Sequence, residues 1–172
     1  MIINKITKLT IATGISFGTI LGIVDFPGQD SHEVEAATTP YYTYKGYTGH
    51  DGSFILDSAF INALVYKNVT MNNYIIVQPQ SYEGNIYTHR TSYDQTFYFG
   101  GKYEEEYAAS AKFPVKKHHI SKAQILKAYG NDYTIEETSN GDEYRFLVGG
   151  NLIIFTIDDN YVTTVNIGEN LK

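Results

Sequence analysis

Glu143-Tyr144-Arg145-Phe146-Leu147-Val148, Asn151-Leu152-Ile153-Ile154-Phe155-Thr156-Ile157 and Tyr161-Val162-Thr163-Thr164-Val165-Asn166-Ile167 are three runs rich in β-branched and aromatic residues. Gly149-Gly150 separates the first pair and Asp158-Asp159-Asn160 the second. Such runs favour the pleated, half-buried surface of a sheet. Glycine, asparagine and aspartate tolerate the positive φ that tight hairpin turns require. The spacing therefore predicts a C-terminal three-strand meander with strands over 143–148, 151–157 and 161–167.

Working back from the meander, Ser121 is an N-cap for a helix over Lys122–Tyr129, with Ile125, Leu126 and Tyr129 as its apolar stripe and Gly130 as its stop. Upstream, Tyr93–Phe99 alternates, Gly100-Gly101 is a hairpin signal, and a second strand covers part of Tyr103–Val115. Gln78–Ser92 is polar, contains Pro79, Gly84 and Asn85, and reads as a loop. Tyr74–Val77 and Asn68–Met71 read as paired strands around an Asn72-Asn73 turn. Asp57 precedes Ala59, Phe60, Ala63, Leu64 and Tyr66 at helical spacing, so a short helix is expected over Ser58–Lys67. Tyr41–Tyr47 reads as a strand or extended arm. Helix, hairpin, helix, meander is an α+β order: one small domain with an antiparallel sheet, two short helices and the meander.

The first 36 residues read as an export signal, leaving residues 37–172 as the single secreted domain. Lys5 and Lys8 form a positive start, Leu9–Val24 is apolar or small, and Val34-Glu35-Ala36 offers small residues at a cleavage site. That apolar run is shorter than the roughly 20 residues a spanning helix needs. The chain has no cysteine, which excludes disulfides, thiolate zinc sites and thiol catalysis.

Removing the two lysines and four carboxylates before Ala37 from totals of 13 and 19 leaves eleven cations and fifteen acids, a net of −4. Tyr107–Asn131 holds no acid and five lysines, so the rest of the secreted part carries −9 against the window's +5. A basic window inside an acidic domain makes a dipolar surface if its lysines share a face.

Thr39-Pro40-Tyr41-Tyr42-Thr43-Tyr44-Lys45-Gly46-Tyr47, Ser53-Phe54-Ile55-Leu56-Asp57, Phe60-Ile61-Asn62-Ala63, Tyr66-Lys67-Asn68-Val69, Tyr93-Asp94-Gln95-Thr96-Phe97 and Lys127-Ala128-Tyr129-Gly130 resemble segments of the immunodominant staphylococcal antigen B family. The likeness spans most of the secreted part and is patchy between Gln78 and Ser92. None of these motifs is a catalytic signature. The resemblance implies a secreted or loosely wall-associated antigen and sequence-independent binding of extracellular nucleic acid.

The residues offer their own candidates for such binding. Lys112, Lys116, Lys117, Lys122 and Lys127, with His118 and His119, are the cations that phosphates require. Tyr41, Tyr42, Tyr44 and Tyr47 add flat faces on which bases stack, if the arm lies alongside. Five phosphate contacts set a ceiling, a log–log salt slope of about −4.5 on duplex DNA. Read as neighbours on a strand, His118 and His119 point to opposite faces, so a shared metal would need a distant partner such as His50 or His89. Their expected role is to add charge in mild acid. Glu104-Glu105-Glu106 reads as a solvated turn rather than a carboxylate pair converging on a substrate, and Asp158-Asp159-Asn160 as a β-turn rather than a calcium loop. No Gly-x-Ser-x-Gly, phosphate-cradling glycine loop or His-Glu-x-x-His occurs.

The expectation is a non-catalytic extracellular binding protein with no cofactor, taking DNA or RNA first. The alternative is a protein-binding module, such as an inhibitor or host-factor ligand, using its acidic, tyrosine-rich surface.

Overall fold

The turns of the meander adopt the backbone their residues favour. Gly149 and Gly150 have φ of 58° and 80°, and Asp159 and Asn160 of 47° and 66°. Positive φ at both central residues matches the right-handed twist of the flanking strands. Gly149 is also held to glycine by space, because a Cβ there would come within 2.8 Å of the Val65 backbone.

A computed structural model describes residues 39–78, 88–100 and 106–168, all but Thr39 within the unit Pro40–Lys172. The export segment, residues 79–87 of the expected loop, Gly101, Glu104, Glu105 and the tail beyond Gly168 lie outside the described residues. Among the described residues no helix is long and apolar enough to cross a membrane.

Eleven strands form two sheets among these residues. The smaller holds β1 (Tyr42–Tyr44), β2 (Val69–Met71), β3 (Tyr74–Ile76) and β6 (Tyr107–Ala108), in that order. The larger runs β4 (Thr88–Ser92), β5 (Gln95–Phe99), β7 (Ser110–Pro114), β11 (Tyr161–Ile167), β10 (Asn151–Asp158), β9 (Gly141–Val148) and β8 (Tyr133–Thr138). All its pairings are antiparallel, whereas β1–β2 and β3–β6 in the small sheet are parallel. The described residues form a sheet-rich α+β domain with two α-helices, α1 (Ser58–Val65) and α2 (Lys122–Tyr129).

Four elements differ from the sequence reading. Thr88–Ser92 is strand β4, not loop: it is a polar edge strand, exposed over most of its length, so it lacks the apolar alternation that marks a half-buried strand. Tyr93 and Asp94 belong to the two-residue turn joining β4 to β5, so β5 begins at Gln95. The meander has a fourth strand, β8, another exposed edge whose Glu136 and Glu137 hide its β character. The strand expected within Tyr103–Val115 serves both sheets in turn. β6 pairs with β3, the chain bends at Ala109, and β7 pairs with β5 and β11.

One face of the large sheet builds the core. Phe97, Ala111, Ile167, Ile153 and Phe146 align across five strands, and Phe113, Val165, Phe155 and Tyr144 form the next row; all are buried. Helix α2 lies on this face, with the Tyr129 ring 5.5 Å from Phe146 and 4.9 Å from Phe155. Its start is a full capping box. Ser121 Oγ accepts from the Gln124 amide, and the Ser121 amide donates to Gln124 Oε1. Helix α1 buries Phe60, Ala63 and Leu64, but Asp57, at its N-cap position, makes no side-chain capping hydrogen bond. Burial raises the Asp57 pKa above the usual carboxylate value, with Asp51 adding to the effect.

Candidate nucleic-acid interface

The two sets of expected site residues separate once placed on the fold. Lys112 sits mid-strand on β7, opposite Thr96 and Asn166, between the core-facing Ala111 and Phe113. Its side chain therefore emerges on the face of the large sheet away from the core. Lys122 and Lys127 are on α2, which covers the core face. Lys112 and the helix lysines thus lie on opposite sides of the sheet, and the five lysines do not form one stripe. Lys122 is engaged at home: its Nζ is 4.7 Å from the Tyr144 ring centroid, and a hydrogen bond with Tyr144 raises its pKa.

What the structure does bring together is the turn Lys116–His119. It follows β7, and the His119 amide donates to the Lys116 carbonyl at 3.2 Å. His118 takes a φ of 54°, so the histidines are in a turn and not on a strand, which corrects the opposite-faces reading. The His118 ring lies 5.1 Å from Tyr161, and His119 Nε2 is 3.0 Å from Asp51 Oδ1. Lys116 and Lys117 are exposed and have no ion pair among the described residues. The chain beyond the turn runs beside the acidic β10–β11 turn. Val162 donates to the Ile120 carbonyl, and Lys122 donates its amide to the Asn160 carbonyl. The basic turn is therefore tied to Asp51 through His119 and to the start of β11 through the His118–Tyr161 ring contact.

The tyrosines divide as well. Tyr42 and Tyr44 pack into the molecule. Tyr44 stacks on Phe54 at 4.3 Å, and Tyr42 meets Phe54 at 6.0 Å and Phe60 edge-on at 5.5 Å. Burial, with nearby carboxylates, pushes both hydroxyls up to about 12. Their faces are spent on the core. Tyr41 and Tyr47 remain over half exposed, at 55% and 52%.

Tyr47 has company that the sequence did not announce. Its ring is 4.9 Å from Tyr93 and 5.5 Å from His50, nearly perpendicular to each. A polar lock holds this group. The Asp94 carboxylate accepts from the Thr48 amide (3.0 Å), the Thr48 hydroxyl (3.2 Å), the Gly49 amide (2.7 Å) and Gln95 Nε2 (2.7 Å). Gln95 is fully buried, donates to the Gly46 carbonyl and accepts from Asn72 Nδ2, while Asn72 Oδ1 accepts from the Gly46 amide. The available signal was the two-residue gap between the polar run Thr88–Ser92 and the strand from Gln95. Without a glycine or asparagine in it, that gap does not read as a hairpin turn.

Among the described residues no group of three or more histidines and carboxylates is placed to hold a metal. His50 stands with Tyr47, and His89 is on β4 with its ring 6.2 Å from Tyr98.

The family described as immunodominant staphylococcal antigen B matches residues 41–167. The chain belongs to that family. Its relatives in Staphylococcus aureus strains USA300 and NCTC 8325, both called immunodominant staphylococcal antigen B, are 36% identical over 174 residues, covering 96% of this chain and 95% of theirs. A crystal structure of a DUF4309 family protein (YjgB) from Bacillus subtilis aligns over 52% of this chain and 70% of its own, at 13% identity and a TM-score of 0.34. That likeness is too slight to bear on the antigen B fold. The family match begins at Tyr41, one residue before β1, and ends at Ile167, the last residue of β11.

Proposed function

We propose that this protein is a secreted, non-catalytic antigen that binds extracellular nucleic acid, DNA or RNA, without reading its sequence. The observation that carries this reading is the Lys116-Lys117 turn: two adjacent, solvent-exposed ammonium groups without an ion pair among the described residues. Unpaired surface cations replace the counterions condensed on phosphates, which favours polyanions of any sequence. Family membership supports an antigen exported from the cell. The geometry narrows the earlier ceiling. With Lys112 across the sheet from the helix lysines and Lys122 engaged by Tyr144, two phosphate contacts from Lys116 and Lys117 are expected, giving a salt slope of about −1.8 on duplex DNA.

Fluorescence anisotropy with a labelled mixed-sequence duplex tests this. Between about 50 and 200 mM salt, affinity should fall about tenfold. Lys116→Glu with Lys117→Glu should abolish binding, while Lys112→Glu should leave most of it. Binding that ignores salt and survives the double reversal would overturn the reading. It would favour the protein-binding alternative, for which the exposed Tyr41, Tyr47, Tyr66 and Tyr93, each over half open to solvent, are the supporting observation.

A further inference from the structure

We infer that Tyr47, Tyr93 and His50 form a stacking platform for the unpaired bases of a single strand whose phosphates lie on the Lys116-Lys117 turn. This rests on the polyanion reading above and deepens it, because it assigns the base-contacting residues and makes single strands the preferred form.

Exposure is the first ground. Tyr47 and Tyr93 keep 52% and 54% of their surface open, although aromatic rings in mutual contact are usually part of a core. The two rings touch each other and Tyr47 also touches His50, and no aromatic residue of the core is among their described ring contacts.

Rigidity is the second. Tyr93 occupies the first central position of a two-residue hairpin with φ of 57°. That position normally takes glycine, asparagine or aspartate, and a bulky side chain there is conformationally costly. The four hydrogen bonds to Asp94 and the buried Gln95–Asn72 pair hold the turn and the Gly46–Gly49 segment together. Tyr44 Oη adds a bond to the Tyr47 carbonyl at 2.8 Å. The rings are thus fixed before any ligand arrives, and a base stacking on them orders little further protein.

Position is the third. His50 and Asp51 share the loop that meets the basic turn through the Asp51–His119 hydrogen bond, and a Cβ built on Gly49 would lie 3.6 Å from Pro114 Cγ at the end of β7. The platform and the two lysines are therefore neighbours on one end of the molecule. A backbone on the lysines and bases on the rings is the arrangement by which sequence-indifferent single-strand binders work. It also gives an acidic domain a way to hold a polyanion with few cations, because stacking adds affinity that carries no charge. A duplex keeps its bases stacked on each other and cannot use the rings.

The test uses the purified protein and three labelled DNAs with equal numbers of phosphates per strand: a mixed-sequence single strand, a single strand of abasic residues, and a duplex. At about 50 mM salt the ordinary strand should bind about tenfold more tightly than the abasic one, the scale of one stacked base. Tyr47→Ala with Tyr93→Asn should erase that difference and leave abasic-strand affinity unchanged; asparagine suits the left-handed position, so the turn is kept. Equal binding of ordinary and abasic strands by the natural protein would overturn the platform and leave the polyanion reading standing. Loss of abasic binding in the variant would also overturn it, by making the rings structural. No binding of any of the three would overturn both.

Discussion

The C-terminal region, α2 with β8–β11, and the N-terminal region, β1–β3 with the arm through Gly52, are held by different forces. The first is held by apolar rows that repeat every second residue: Ile153, Phe155 and Ile157 on β10 face the core against Phe146 and Tyr144 on β9. The second has strands of only three residues, and its arm is tied to the large sheet by Asn72, Asp94 and Gln95. Val69, Met71 and Ile76 on these strands reach the core, but the arm over Lys45–Gly49 adds no apolar side chain to it, so the arm's position depends on directional bonds to residues far along the chain. The difference teaches where a sequence is readable. Hydrophobic periodicity is a local pattern, whereas the bond from Gln95 to Gly46 spans 49 residues and leaves no trace in either neighbourhood.

The sharpest way to break the comparison is to remove one member of each set. Phe155→Ala opens a cavity under α2, where Tyr129, Phe146 and Phe155 meet, and should cost about 3–5 kcal/mol. Urea denaturation reads this as a lower midpoint. Gln95→Leu keeps the volume near constant but leaves the Gly46 carbonyl and one Asn72 N–H without this partner, costing about 1–3 kcal/mol. Its signature should also be spatial. Amide exchange should quicken in residues 45–49 while the meander stays protected. Uniform loss of protection would show that the polar lock and the apolar core unfold as one unit.

The same contrast explains what was legible. The α+β class, α2 to the residue, the Asn72-Asn73 turn and three meander strands follow from patterns within about ten residues. β4 and β8 escaped because edge strands exposed on both faces have no reason to alternate. The candidate site was legible in residue type but not in assembly. Lys116, Lys117 and Tyr47 were visible, but Lys112 and Lys122 are placed apart by the sheet between them, and Tyr42 and Tyr44 spend their faces on Phe54. Tyr93 joins Tyr47 only through a turn that tertiary bonds enforce.

Alkali sharpens the comparison further. Tyr42 and Tyr44 are raised from 10.0 to about 12, by burial first and by carboxylates second. In the unfolded chain they ionise near 10, so above that pH the unfolded state sheds protons that the folded state retains. Their contribution is fully present below about pH 10 and is lost as pH climbs toward about 12. Tyr129, in the C-terminal region, is pushed up by burial in the same sense. Tyr42→Phe with Tyr44→Phe should therefore flatten, without abolishing, the fall in urea midpoint between about pH 9 and 11. An unchanged slope would place the alkaline limit wholly in the C-terminal region.

The smallest effect separates the two helices. Ser121→Ala removes one half of the α2 capping box and should cost about 1 kcal/mol, because the Gln124 amide then keeps only its bond to the Ser121 carbonyl. Asp57→Ala, at the equivalent position of α1, removes a side chain that makes no capping bond and whose charge is disfavoured by burial. It should cost less than about half as much, although aspartate and serine rank alike as N-caps. A sequence rule that treats the two positions as equal predicts equal losses. Urea midpoints for the two variants decide between that rule and the observed hydrogen bonds, and equal losses would mean that Asp57 stabilises α1 by charge alone.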